Sequence, residues 1–421
     1  MGGLEDYWKR NNSRIMIQKQ EHEQFPFEYD ERYNDLQLIQ WCKPTESSMW
    51  GYYASYKIGA EWIDEKEFIA VTTKRKMENI DFLKMFMTCF SSNLALESFS
   101  KIYSIDYDKP VIKVPAFRSI VSLLIVVHFL NLVNRIKSLK RGYVHYSENL
   151  KKVKGHISLL KNERKNILGK RYDRIYCDYD EYSTDIPENR LIKKALLFSK
   201  HLLYSCNLYD ALHQILKKNL ALFELVSADV EIQEIKQIKG HKLFNDYQEA
   251  IRLAKIILRH FDYNITRADD TGGTVPPFVI DISLLYEHYV YGLLYEAYGN
   301  KIVYQHKGIT GYPDFLYISE NFKAILDTKY IPKYEDETLD TNVVRQLSGY
   351  SRDLLVLRKL GYKDIREDSS IPSVPCVIVY PIEGNGISNP FKGKGLIDVC
   401  NKRVKGLSHF YKIEIPLPVV I

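Results

Sequence analysis

The chain has 421 residues, with 59 Lys and Arg against 53 Asp and Glu and a formal net charge of +6, a surplus that suits contact with phosphates but is far from that of a polybasic tail. This length suits two or three domains, each with its own core. Six cysteines, Cys42, Cys89, Cys177, Cys206, Cys376 and Cys400, include no Cys-x-x-Cys pair, which argues against a zinc knuckle or a secreted disulfide framework and for a reducing, cytoplasmic setting.

Residues 1–50 are polar, with aromatics scattered among charges and no secretory signal; they are expected to be partly ordered at most, with no assigned role. Gly51–Lys74 has the alternation of strands, and Asn79 to about Lys140 reads as mostly helical. Ser119–Val133 is the most apolar stretch, but it is short for a membrane span and contains His128 and Asn131, so a buried helix is expected and no membrane association. Arg141-Gly142 breaks the pattern. Lys151–Leu160 reads as a strand, and Asp185, Pro187 and Glu188 open a helix through Leu203. A second helical region runs to about Phe261, and Thr266–Pro277, rich in Asp, Gly and Pro, reads as a linker. The expected division is a polar segment 1–50, a mixed α+β region 51–150, a mainly helical region 151–265 and a C-terminal α/β domain 278–421.

The chemistry concentrates in that last region. Asp281–Tyr298 is an amphipathic helix with Glu287 at the border of its apolar stripe. Phe315–Ile318 and Phe322–Leu326 read as a hairpin around Ser319-Glu320-Asn321, which brings Asp314 and Asp327 to one end of the sheet. Two carboxylates there can hold Mg²⁺, with Mn²⁺ as a substitute, and Lys329 shares a strand face with Asp327. A metal-activated water and an ammonium beside the developing charge are what phosphodiester hydrolysis needs. The bland alternative is a strand edge with a surface salt bridge. Downstream, Asp340 or Thr341 caps a helix expected to reach Leu360, with Gln346 and Tyr350 on one face. Gln346 is suited to positioning water or phosphate, and Tyr350 to touching a nucleic acid backbone. Val374–Tyr380 and His409–Leu417 read as further strands of the same sheet. The Ser388–Lys394 loop, with Lys392 and Lys394, is either a DNA contact or a solvated turn.

A helical Glu, then Pro313-Asp314, Asp327-x-Lys329 and Gln346-x-x-x-Tyr350, in that order, resembles the nuclease core of the PD-(D/E)XK superfamily in its glutamine-tyrosine branch. Segments Tyr52–Lys74, Phe82–Cys89, Arg141–Ile157 and Cys177–Leu196 are similar to the McrC family, so the likeness runs from roughly position 50 to the end. Two departures stand out: Lys154-Gly155-His156 replaces the more usual Arg-Gly-Arg, and residues 1–50 match nothing familiar. The resemblance implies a central mixed sheet flanked by helices, Asp314, Asp327 and Glu287 as metal ligands, and Lys329 and Gln346 in catalysis. It further implies modified DNA as substrate and a McrB-type AAA+ GTPase as motor partner, docked on the region 51–140. No Gly-x-x-x-x-Gly-Lys-Ser/Thr loop occurs in this chain, in keeping with a separate motor. Two rival readings share the pattern: a non-catalytic DNA-binding or GTPase-activating assembly factor, and a free-standing repair or transposon nuclease.

Overall fold

The computed structural model describes residues 15–44, 48–74, 77, 79–89, 101–106, 109–113, 118–205, 209–230, 245–266, 274–331, 340–362, 365–367, 370–384, 388–400 and 402–419. Its first strand, β1 (Ile15–Gln20), falls inside the segment expected to be largely irregular. It is followed by β2 (Ile39–Cys42), β3 (Gly51–Ala54), β4 (Lys57–Trp62) and β5 (Glu67–Thr72), and β1 lies parallel to β5. Phe25, Leu38 and Ile39 are buried against Tyr52, Ile69 and Val71. Phe25 and Leu38 lie outside any strand, so they give no periodic signal although they complete this core.

Among the described residues of 79–140, two stretches are helical as expected and two are strands. Helix α1 (Phe82–Cys89) and helix α2 (Arg118–Arg135) are separated by the short strands β6 (Tyr103–Ile105) and β7 (Ile112–Lys113). In α2 the run from Leu123 to Val133 is almost wholly buried, and among the described residues no helix is long and apolar enough to cross a membrane. Burial also pushes His128 down to about 4, as expected of a neutral packed histidine.

The chain forms two compact units, residues 1–121 with 272–421, and residues 122–271. The boundaries expected from the sequence fall at 150 and 278. In the first unit, β12 (Phe278–Asp281) pairs antiparallel with both β4 and β6, so the residues leading into the C-terminal half are part of the N-terminal sheet. Gly59, at φ +144°, allows that pairing, because a Cβ there would stand 2.0 Å from the Phe278 carbonyl oxygen. The Asp269–Gly273 part of the expected linker lies outside the described residues, and Thr274–Val275 forms the short strand β11.

Within residues 122–271, β8 (Gly142–Leu150) and β10 (Ile175–Ser183) make a nine-residue antiparallel ladder. The strand expected at 151–160 shrinks to β9 (His156–Ile157), because Gly155 turns the chain at φ +68° and a helical turn begins at Leu159. Helix α3 (Pro187–Ser205) starts at the proline that fixes its first turn. Helices α4 (Tyr209–Leu222) and α5 (Asn245–Thr266) follow. Tyr247 donates to Asn189 Oδ1 at 2.8 Å, and Asn189 Nδ2 donates to the Thr184 and Lys140 carbonyls, which satisfies a fully buried amide.

The C-terminal half is a mixed sheet between helices. Helix α6 (Ile282–Tyr298) is capped by Asp281, which accepts from Leu284 N. The strands are β13 (Ile302–Tyr304), β14 (Phe315–Ile318), β15 (Lys323–Thr328), β16 (Cys376–Glu383), β17 (Lys402–Arg403) and β18 (Phe410–Leu417), in the order β13-β14-β15-β16-β18-β17. The β14–β15 pair is antiparallel, while β15–β16 and β16–β18 are parallel. On one face Tyr291 of α6 stacks on Phe315 and Tyr304. The other face, through Leu316, Ile325 and Ile378, packs on Val343, Leu347 and Leu357. The helix expected to run to Leu360 is two: α7 (Thr341–Tyr350) and α8 (Leu354–Lys359). Asp353 breaks it, because its carboxylate accepts from Leu355 N and Val356 N and so starts a new helix.

Candidate active site

Register assembles the centre of the site. Phe315 pairs with Leu326, so one step further along Asp314 and Asp327 face each other across the hairpin. Asp314 Oδ2 accepts from Thr328 N and Thr328 Oγ1, each at 2.6 Å. Lys329 Nζ stands 2.6 Å from Asp327 Oδ2 and donates to Gln346 Oε1 at 3.3 Å. Gln346 Nε2 donates to the Tyr350 hydroxyl at 2.9 Å, and that hydroxyl donates to the Tyr312 carbonyl at 3.2 Å. From α6, Glu287 Oε1 accepts from Gln305 Nε2 at 2.8 Å. Glu287, Asp314, Asp327, Lys329 and Gln346 thus line one cleft of about 300 Å³, together with Asp281, Ser283 and Thr328.

The carboxylates are held in an unfavourable setting. Burial, then the charges of Asp327 and Glu287, push Asp314 well above the ordinary carboxylate range. Burial raises Asp327, and Lys329 counters part of that rise. Glu287 is raised as well, chiefly by burial, against the hydrogen bonds from Gln305 and Tyr304. Burial would lower Lys329, but the Asp327 and Asp314 carboxylates more than offset it, and its ammonium form is favoured.

As positioned, no three His, Cys, Asp or Glu side chains among the described residues converge into a cage. Three carboxylates that repel one another, two of them held by Lys329 and Gln305, line the cleft without closing on a point. The donor set nevertheless fits a hard divalent cation. Asp327 is 1% exposed, and neither of its oxygens accepts a directed hydrogen bond, the Lys329 contact being an ion pair without hydrogen-bond geometry. A cation among these oxygens would offset the burial that raises all three groups, and the neighbouring charge that adds to it at Asp314 and Glu287.

Of the three expected nucleic acid contacts, Tyr350 is turned inward, and Lys392 and Lys394 lie on a loop away from the cleft. Tyr350 is 4% exposed and lies beneath Gln346, because it completes the core behind α7; it braces the glutamine and cannot face a backbone. Lys392 donates to Glu296 at 3.0 Å, and Asn389 of the same loop donates to the Leu293 carbonyl. These contacts tie the loop, Lys394 included, to the far end of α6, since Glu296 lies nine residues, about 13 Å of helix rise, beyond Glu287. Conversely, the sequence reading missed Thr328, Tyr304 and Gln305. Hairpin register could have found Thr328; nothing in spacing marks the other two.

With the cleft defined, similarity to known proteins becomes informative. The family model described as McrBC 5-methylcytosine restriction system component matches residues 106–351, more than half of the chain and including Glu287 through Tyr350. This chain belongs to the McrBC family. Among solved structures, the half-complex of Thermococcus gammatolerans McrB AAA+ hexamers with bound McrC is similar at 12% identity, over 96% of this chain and 95% of that one, with a TM-score of 0.38. The Thermococcus gammatolerans McrBC complex is similar at 12% identity, over 66% of this chain and 87% of that one, with a TM-score of 0.27. No curated protein matches the chain.

Proposed function

We propose that this McrBC family member is the McrC-type endonuclease subunit of a modification-dependent restriction system, with a PD-(D/E)XK nuclease core that hydrolyses phosphodiester bonds in DNA. The observation that carries this reading is the convergence of Asp314, Asp327, Lys329, Gln346 and Glu287, from two strands and two helices, on one cleft. The intact acid, acid and lysine set favours catalysis over the assembly-factor reading. Family membership favours a restriction system over a free-standing nuclease.

Asp314, Asp327 and Glu287 would hold Mg²⁺ or Mn²⁺. When bound, such an ion polarises a phosphoryl oxygen and lowers the pKa of a coordinated water. Thr328 fixes the Asp314 carboxylate by two hydrogen bonds. Lys329 neutralises Asp327 and, as the substrate reacts, steadies negative charge developing on the phosphoryl oxygens. Gln346, braced by Tyr350, presents its amide to water or phosphate. The partner in this reading is a McrB-like AAA+ GTPase in the cytoplasm, docked through the region 51–140.

The test is cleavage of 5-methylcytosine-containing and unmodified DNA by the full chain, with and without a McrB-type partner, GTP and Mg²⁺. Metal-dependent cutting that requires the partner and the modified base is expected. Stimulation of the partner's GTPase without any cutting would favour the assembly-factor reading instead.

A further inference from the structure

Gln305 sits immediately after β13 with φ +44°, in the left-handed region that glycine and asparagine occupy readily and glutamine seldom does. The residue is exposed, so core packing does not select its side chain. Its bonds supply another reason. The Gln305 side chain donates to Glu287 Oε1 at 2.8 Å, and its backbone N–H donates to the Asp314 carbonyl at 2.9 Å. A single residue therefore ties helix α6 to Asp314, just before β14, and it touches two of the three residues assigned to the metal. The neighbouring Tyr304 hydroxyl lies 3.3 Å from His288 Nδ1.

We propose that Gln305 is a positioning residue: its strained backbone aims the side-chain amide at Glu287 and fixes that carboxylate toward the divalent cation held with Asp314 and Asp327. This rests on the metal-site reading above. Strain at a functional position persists when the surrounding structure over-determines it, and here a bond at each end of the residue does so. Groups that orient a ligating carboxylate are worth about 10–100-fold in metal affinity.

The experiment compares wild type, Gln305→Asn and Glu287→Gln as full-length proteins, by calorimetric titration with MnCl₂ and by thermal unfolding. Asparagine tolerates the left-handed backbone, but its amide is one methylene too short to reach Glu287. Gln305→Asn is expected to weaken Mn²⁺ binding about 10-fold, with an unchanged or higher Tm, and its DNA cleavage should recover at high Mg²⁺. A purely structural turn predicts unchanged Mn²⁺ affinity, and that result overturns the proposal. If Glu287→Gln also leaves Mn²⁺ binding intact, the assignment of Glu287 as a ligand fails as well; weakening in Glu287→Gln alone sinks only the role of Gln305.

Discussion

At the residue scale, the site works by placing groups where water would not keep them. Asp327 is buried and has the Lys329 ammonium 2.6 Å away, and Asp314 is stabilised by donors from Thr328 rather than by a cation. Removing an uncharged positioning group should cost less than removing a ligand. Gln346→Ala is expected to slow cleavage by about 10-fold with little change in Mn²⁺ affinity, a loss of orientation rather than of charge stabilisation; single-turnover cleavage beside calorimetry checks both halves. A loss of metal binding in that variant would show that Gln346 is itself a ligand. Pattern made much of this legible: strand alternation put Lys329 on the face of Asp327, and hairpin register put Asp314 opposite. Gln305 was not legible, because a positive φ in a glutamine is decided by two long-range hydrogen bonds that leave no local trace.

At the element scale, the break between α7 and α8 is the clearest departure from the sequence reading. Val343, Leu347, Val356 and Leu357 all face the same core, so apolar spacing alone joins them into one helix. Asp353 separates them. Its Oδ2 accepts from Ile309 N, Thr310 N and Thr310 Oγ1, and its Oδ1 from Leu355 N and Val356 N. Burial pushes its carboxyl up, but the hydrogen bonds from Thr310, Val356 and Leu355 outweigh that and hold it below the ordinary range. The folded pKa is depressed, so this stabilisation is present at neutral pH and is lost as pH falls below the unfolded value of about 4 and through the folded one. Asp353→Asn should therefore destabilise the protein by about 1–3 kcal/mol at pH 7. Urea unfolding should show that deficit narrowing below pH 4; a deficit independent of pH would mean that the charge is not what the donors hold.

At the scale of the whole molecule, the C-terminal half does not stand apart from the N-terminal sheet. β12 pairs with β4 and β6 before the chain enters α6, and Lys74, just beyond β5, donates to the Tyr330 carbonyl at 3.3 Å with its ammonium 4.5 Å from the Tyr330 ring centre. The sequence reading cut the chain at residue 278 because a Gly- and Pro-rich segment precedes it, yet strand pairing between distant segments is non-local and leaves no mark at the boundary. A fragment of residues 278–421 is accordingly expected to lack a cooperative thermal transition, since β12 would expose both edges. A cooperative transition near that of the intact chain would show that the C-terminal half folds alone.

The central claim is that Asp327 belongs to a metal-dependent cleavage centre and not to a structural ion pair. Its most direct test is DNA cleavage by wild type and Asp327→Ala, each with a McrB-type partner, GTP and Mg²⁺, with partner GTPase recorded in the same reaction. The account predicts that Asp327→Ala abolishes cleavage while still stimulating the GTPase, because the carboxylate acts at the cation and contributes repulsion rather than packing. Cutting at the wild-type rate by that variant would contradict it.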